Sequence, residues 1–563
     1  MAEETVAGDE GRGTMEADYD VVILGAGING AGLFRDLCEQ GVRCLLVDKG
    51  DICAGTSAAP SRLIHGGLKY LETGEFRLVS ESTYERNLLL RNAPHLVHPL
   101  PTVIPIYSWT KGIGAALRTF FGSKTAPRSR GRLLMKLGLW LYDVYGARQR
   151  VMPRHSILGR EAALKELPSL TPDIVAVGTY YDAVVTAPER LVLELVKDGL
   201  RASPASRAMT WTDFECVEDG RLRFTGPDGE TLSVLPKVTV NATGPWIDAA
   251  NAKLGVATQY IGGTKGSHIL LDHDALVREL DGRMIYFEGD DGRICLVFPY
   301  HGRALVGSTD IPADDPDSVT CEETEVDYFM GALRRLLPGL TFDPQQIVYA
   351  YSGIRPLPNS EGTEPGLISR DHSAPVLDPE PGRPYPVISL IGGKWTTFRA
   401  FSEQVADDVL KRLGTSRKTT TRELAIGGGR GFPTTLEART AWLADASAKD
   451  ATQDRLTALL DRYGTAAPEV ATHAFDAPDR LVQGDTDVTL SEIDWIARNE
   501  QVVHLQDIVL RRTQLAITGH LSRDGLDAIA TVAGAALGWS EDRLRQEVDD
   551  TLAVLRERHR VAL

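Results

Sequence analysis

No uncharged apolar run in this chain approaches the ~18 residues needed to cross a bilayer, so the sequence excludes a membrane-spanning helix and leaves only peripheral membrane contact. Cysteine is scarce. The six residues Cys38, Cys44, Cys53, Cys216, Cys295 and Cys321 form no CxxC pair and show no metal-ligand spacing. That pattern argues against a disulfide framework, an iron–sulfur cluster or a metal centre, and for reduced thiols in a cytosolic compartment. Positive charge is short as well: 61 Lys plus Arg against 77 Asp plus Glu leaves a net charge of -16. No nucleic acid is expected as a partner. Residues 1–18, MAEETVAGDEGRGTMEAD, are acidic and lack the apolar core of a signal peptide, so they read as a disordered N-terminal extension.

What is present is an ordinary globular balance, with 43% hydrophobic and 25% charged residues in 563. That length suggests roughly two to four domains and room for a large buried site. Organised structure is expected from Tyr19, where YDVVILGAGINGAGLFRDLCEQGVRCLLVDKG reads as strand, glycine turn, helix, strand. The runs at 21–24 and 44–47 are continuously apolar, as in parallel strands buried on both faces. Gly25, Gly27 and Gly30 form GxGxxG at the strand-to-helix turn, and Asp48 closes the second strand 18 residues later. The glycines give a tight turn, close backbone approach to a pyrophosphate and close helix packing, while the carboxylate suits ribose hydroxyls.

NAD and FAD share this first unit. VNATGPW (240–246) and LIGGKWTTFR (390–399) end later apolar strands in small residues and could bring backbone N–H groups to one extended cofactor. RICLVFPY (293–300) and RALVGSTD (303–310) suit an antiparallel sheet between them. The expected fold is therefore an α/β FAD-binding Rossmann-like domain of the glutathione-reductase/D-amino-acid-oxidase type. An inserted antiparallel substrate-binding sheet would complete a unit over 19–421. From about Arg422 apolar residues recur at helical spacing, as in TLSEIDWIARNEQ and LQDIVLRRTQLAI, giving a separate all-α domain over 422–563. AIGGGRGF (425–432) lacks the Gly-Lys-Ser/Thr ending of a phosphate loop and reads as a flexible linker.

GAGINGAG, GTSAAPSRLIHGGLKYLETGEFRLVSE, NATGPW, KGSHI, GSTD, SGIRPL, SRDH and GGKWTTFR occur in an order that resembles the FAD-dependent glycerol-3-phosphate dehydrogenases, from about residue 18 to near the C-terminus. The resemblance implies FAD, oxidation of sn-glycerol 3-phosphate at C2 to dihydroxyacetone phosphate, and electron transfer to a membrane quinone. One branch of relatives uses dioxygen instead. It also implies a cytoplasmic enzyme held peripherally at the inner membrane, and leaves room for a homodimer.

For cofactor binding, the resemblance points to Gly25, Gly27, Ile28, Asn29, Gly30 and Asp48 in the first unit. Thr56 and Ser57 follow, then Arg62, Leu63, His65, Gly66 and Gly67 in the RLIHGG segment. Gly244 and Trp246, and Gly393, Lys394, Thr396 and Thr397, complete the set. Arginine binds a phosphate through a planar fork of charge-assisted hydrogen bonds, which selects Arg355 and Arg370. Carbinol oxidation needs a base, and histidine titrates near neutral pH. His268 is preferred, with His65 as the alternative base or a positioning group. Lys394 is a cation suited to negative charge at the flavin or phosphate. Lys69 and Tyr70 are substrate-binding candidates.

Three positions leave the family pattern: Lys69 stands where arginine is common, Ser308 replaces the usual threonine of GSTD, and TAPERL (186–191) lacks one acid of a usual pair. Lys69 loses the bidentate fork, so another polyol phosphate, such as erythritol phosphate, stays open as substrate. Residues 111–150 carry nine basic residues (Lys111, Arg118, Lys124, Arg128, Arg130, Arg132, Lys136, Arg148, Arg150) and one acid, Asp143. Apolar residues including Leu133, Leu134, Leu137, Trp140, Leu141 and Tyr145 interleave with them, the composition of an amphipathic surface for anionic lipid.

Overall fold

The computed structural model describes residues 15–68, 75–109, 132–146, 151–289, 291–359, 371–392, 394–446, 452–475, 478–484 and 487–563. Its first sheet is built around β1 (Met15–Leu24), which runs parallel to β2 (Cys44–Val47) on one side and to the strand Thr231–Asn241 on the other. Thr239, Val240 and Asn241 pair in parallel with Val387, Ile388 and Ser389. Three sequence-distant segments thus form one nucleotide-binding sheet. The helix Ile28–Glu39 packs between it and the helices Pro188–Ala202 and Phe398–Arg412.

Strand β1 begins earlier than the apolar pattern indicates. Met15–Asp18 pair with Leu232–Leu235, so the expected extension over 1–18 is corrected at its last four residues. Apolar runs report burial, whereas this start is set by backbone pairing with a long neighbouring strand.

The second, mostly antiparallel sheet contains ten strands among the described residues. Near one end of it, Thr264–Leu271 pairs with Ile347–Arg355 on one side and Arg303–Gly307 on the other, followed by Ile294–Tyr300 and Met284–Glu288. Val97–Ile106 and Ala176–Val185 extend it across a ten-residue antiparallel pairing. The stretches 293–300 and 303–310, expected in an antiparallel sheet, pair antiparallel with each other, with Tyr300 opposite Arg303.

The C-terminal region is helical, with Gln453–Tyr463, Leu490–Asn499, Arg523–Leu537 and Glu541–His559 as its longer elements. It shares a hydrophobic core with the second sheet: Leu270, Phe298 and Tyr349 pack in one cluster with Leu459, Ile493, Ile508 and Ile529. The stretch LQDIVLRRT is one short helix, Leu505–Asp507, running into a π-helical turn over Ile508–Arg512. That turn delivers Arg511 and Arg512 to Asp51, and Arg190 meets Glu500 in a second buried ion pair at 2.8 Å.

The flexible-linker reading of AIGGGRGF is corrected. Gly428 and Gly429 are buried, and a Cβ added to Gly428 would lie 1.9 Å from the Tyr463 carbonyl oxygen. These glycines permit close backbone approach rather than motion.

Candidate active site

At the dinucleotide turn, Gly25 takes φ +101° and its N–H donates to the Val47 carbonyl at 2.7 Å. A Cβ at Gly30 would fall 1.9 Å from the Gly25 carbonyl oxygen, so only glycine lets the helix start this close to the strand. Gly27 caps Ile28–Glu39, and Ser57 Oγ accepts from the Ile28 N–H at 3.0 Å, placing the Thr56–Ser57 segment over the helix N-terminus. Asp48 accepts from the Ala26 N–H at 2.6 Å and the Gly50 N–H at 2.9 Å. Burial pushes the Asp48 carboxyl up to about 6, against the pull of those two amides.

Asn29 donates through Nδ2 to the Gly392 carbonyl at 3.2 Å, drawing the distant 390–397 segment onto the glycine turn. Asn29 Oδ1, Trp395 Nε1 and Thr397 Oγ1 are buried and hydrogen-bond to nothing among the described residues. A glycine cradle open to an anion and orphaned polar atoms beside it suit a bound dinucleotide, because buried polar groups are normally satisfied. The residues present fit FAD.

The RLIHGG turn is tied to the same place. His65 N–H donates to Thr396 Oγ1 at 3.1 Å, and the Thr396 hydroxyl donates back to the His65 carbonyl at 3.1 Å. Leu63 and Ile64 pair with Val184 and Ala183 of the second sheet, so the turn bridges both sheets. Lys394 is buried, with Nζ 3.5 Å from Ser82 Oγ. Arg62, expected at the cofactor, carries its guanidinium elsewhere: it donates to Glu189 at 2.8 and 3.1 Å and to the Tyr300 hydroxyl at 2.9 Å. Trp246 also turns outward, with Nε1 donating to Asp317 at 3.1 Å and its ring beneath Lys49 Nζ. Gly244 takes φ +61° at the start of the same turn.

His268 and Arg355 stand on the paired strands Thr264–Leu271 and Ile347–Arg355. His268 is 1% exposed, stacks on Tyr351 at 4.8 Å and shares a 2.8 Å hydrogen bond between Nε2 and Ser61 Oγ. Its Nδ1 is buried without a partner among the described residues. Burial, then the positive charges of Arg355 and Arg62, hold this imidazole well below its ordinary value, so it is neutral near pH 7. A Cβ at Gly307 would lie 2.0 Å from His268 Cδ2, and one at Gly266 would lie 2.2 Å from Arg355 Nη2. The glycines of GSTD and KGSHI therefore make room for the two candidate side chains.

Arg355 is oriented by Asp310 at 3.0 Å, Ser308 Oγ at 3.2 Å and the Thr309 carbonyl at 3.0 Å. The departure at Ser308 thus falls directly on the leading phosphate candidate. Ser61 and Asp310, which the sequence does not single out, are the partners of the two candidates His268 and Arg355; both sit inside quoted motifs, but nothing in a motif says which side chain meets which. Arg77 of EFRLVSE pairs with Asp371 of SRDH, bringing those two motifs together. Lys69, Tyr70, Arg370 and Gly393 lie outside the described residues.

Residues 20–394 match the family model described as FAD dependent oxidoreductase, and residues 419–544 match the C-terminal domain of alpha-glycerophosphate oxidase. A glycerol-3-phosphate dehydrogenase of Synechocystis is 30% identical over 94% of this chain and 95% of its own. One from Pseudomonas tolaasii is 30% identical over 89% of this chain and 92% of its own. The solved glycerol-3-phosphate dehydrogenase of Bacillus halodurans, complexed with FAD, superposes with a TM-score of 0.73 at 21% identity, covering 96% of this chain and 95% of that one. With the glycine cradle, the divided nucleotide sheet and the helical C-terminal region all in place, this chain belongs to the FAD-dependent oxidoreductases, in the glycerol-3-phosphate dehydrogenase family.

Proposed function

We propose that this chain oxidises sn-glycerol 3-phosphate at C2 to dihydroxyacetone phosphate and passes the electrons on to a membrane quinone. Bound FAD supplies the hydride acceptor. The observation that carries the reading is a neutral, buried His268 with an unpartnered Nδ1, one strand from an arginine held by three oxygen partners. With its proton on Nε2 and donated to Ser61, His268 takes the C2 hydroxyl proton on Nδ1 as the hydride leaves C2. Arg355, with Arg370 and Lys69, binds the phosphate, and Lys394 adds positive charge beside the HGG turn.

Anaerobic glycerol 3-phosphate is expected to bleach the yellow of the FAD-loaded enzyme, and a soluble quinone analogue to restore it. Absence of bleaching, or bleaching by erythritol phosphate alone, overturns the substrate. Recovery with dioxygen but not with the quinone analogue overturns the acceptor.

The quinone requires a membrane surface. The helix Arg132–Tyr145 presents Leu137, Trp140 and Val144 to solvent at 54%, 54% and 51% exposure, while Met135, Leu139 and Tyr142 face the protein. Trp109, also exposed, lies just before the basic segment, whose residues 110–131 and 147–150 fall outside the described structure. No described helix is long and apolar enough to cross a membrane. An apolar outer face beside a locally basic segment suits peripheral docking on anionic lipid at the cytoplasmic side of the inner membrane. In low salt the enzyme is expected to sediment with vesicles containing anionic lipid, and Trp140→Ala to weaken this. Equal recovery in the supernatant with and without vesicles removes the docking proposal.

A further inference from the structure

The inner face of that same helix carries a buried tyrosine with no part in the roles assigned so far. Tyr142 is 3% exposed, and its hydroxyl meets three groups from three other segments. It donates to Asp182 Oδ1 at 2.5 Å and accepts from Arg86 Nη1 and from the Gly66 N–H, both at 2.9 Å. Asp182 Oδ1 also accepts from the Gly66 N–H at 3.0 Å and from Arg86 Nη1 at 3.1 Å. Arg86 Nη1 reaches the Tyr181 carbonyl at 2.9 Å. Asp182 and Arg86 are as buried as Tyr142.

One backbone amide of the HGG turn is therefore gripped by two oxygens, and both are fixed by one guanidinium. The fit leaves no slack: a Cβ at Gly66 would lie 2.2 Å from the Tyr142 hydroxyl oxygen and 2.5 Å from Thr83 Cγ2. Burial, and then the charge of Asp182, push the Tyr142 hydroxyl well above its ordinary value, so it stays a donor at every working pH. On the other side, His65 is held by Thr396 at both its N–H and its carbonyl. The turn is thus clamped between the cofactor-side segment 394–397 and the helix Arg132–Tyr145.

We propose that Tyr142, with Asp182 and Arg86, is a positioning residue for the reaction: it fixes the HGG turn against the flavin, and it does so from the element proposed to dock on the membrane. A buried hydroxyl that donates to a carboxylate while accepting from a backbone amide and a guanidinium serves three groups at once, and its removal leaves each of them one partner short, which is why a network of this kind specifies one backbone position. The inference rests on the reading of the HGG turn as the flavin-facing loop.

The test is Tyr142→Phe in the FAD-loaded enzyme, read by visible-range circular dichroism of the bound flavin, melting temperature, and the rate and substrate dependence of anaerobic bleaching by glycerol 3-phosphate. The expected result is an altered flavin dichroism and about ten-fold slower bleaching at saturation, with the half-saturating concentration within about two-fold of wild type. Arg86→Lys keeps the charge but cannot reach all three acceptors, and is expected to shift the dichroism in the same direction, so the inference stays testable if Tyr142→Phe folds poorly. A lower melting temperature with wild-type dichroism and bleaching rate in either folded variant assigns a purely structural role and overturns the proposal. If the wild-type enzyme itself is not bleached, the substrate reading fails instead, while the dichroism still reports on the positioning role.

Discussion

His268→Gln is expected to slow anaerobic flavin bleaching by about 100- to 10,000-fold, the range a positioned general base contributes. FAD should stay bound, because among the described residues His268 bonds Ser61 and stacks on Tyr351, both outside the glycine turn and the 390–397 segment. Glutamine keeps a polar atom near Ser61 but takes up no proton at neutral pH. Stopped-flow bleaching decides the point, and a loss under about ten-fold removes His268 as the base. The same burial and the same arginines set the pH dependence. Because the folded-state value lies below the ordinary 6.5, the imidazole stays free to accept a proton until the pH falls to that lower value. The rate at saturating substrate is therefore expected to hold below pH 6.5 and to decline only further into acid. An acid limb centred above 6.5 contradicts the assigned environment.

Asp51→Ala carries the largest expected cost to stability, about 3–5 kcal/mol, as breaking a buried ion pair from one side does. Asp51 is fully buried and accepts from Arg511 Nε at 2.5 Å and from Arg512 Nη1 and Nη2 at 2.6 and 2.7 Å. Removing it leaves the buried Arg512 guanidinium with only the Glu500 carbonyl and Arg511 with only Asp507 among the described partners. Burial by itself would raise the Asp51 carboxyl, but the two guanidiniums outweigh it and hold the group below its ordinary value. The stability this lends is therefore present above the unfolded carboxyl value of about 3.9 and is lost as pH falls through the lower folded value. Urea unfolding at pH 7 measures the cost. The exposed pair Lys49–Asp317, at 48% and 61% side-chain exposure, is the contrast: Lys49→Ala should cost under about 1 kcal/mol. Equal effects for the two variants would mean that the Asp51 cluster does not hold the helical region to the nucleotide-binding sheet.

Much of this protein is legible in its motifs. GxGxxG followed by Asp48 is sufficient for a dinucleotide turn, since each glycine answers a steric demand that the chain meets locally. His268 and Arg355 are legible through KGSHI and SGIRPL, and the fold brings them to paired strands. Arg62 is not legible in the same way. It sits in a motif read as cofactor-binding, yet its guanidinium is held by Glu189 and Tyr300, which are 127 and 238 residues away. The glycines at 427–429 mislead for the opposite reason: composition reports backbone freedom, but here that freedom serves contact with Tyr463, Asn92 and Glu194.

By itself the sequence determined the nucleotide-binding unit, the helical C-terminal region, the use of a flavin and the residue types available for oxidising a phosphorylated carbinol. Those follow from local periodicity and from short motifs whose chemistry is carried within a few residues. Only the tertiary structure decided that Ser61 meets His268, that Ser308 and Asp310 orient Arg355, and that Tyr142 reaches from an amphipathic helix to the Gly66 amide. Each of those contacts joins segments tens to hundreds of residues apart, and a buried polar group takes whichever partner the packed core leaves within hydrogen-bond reach.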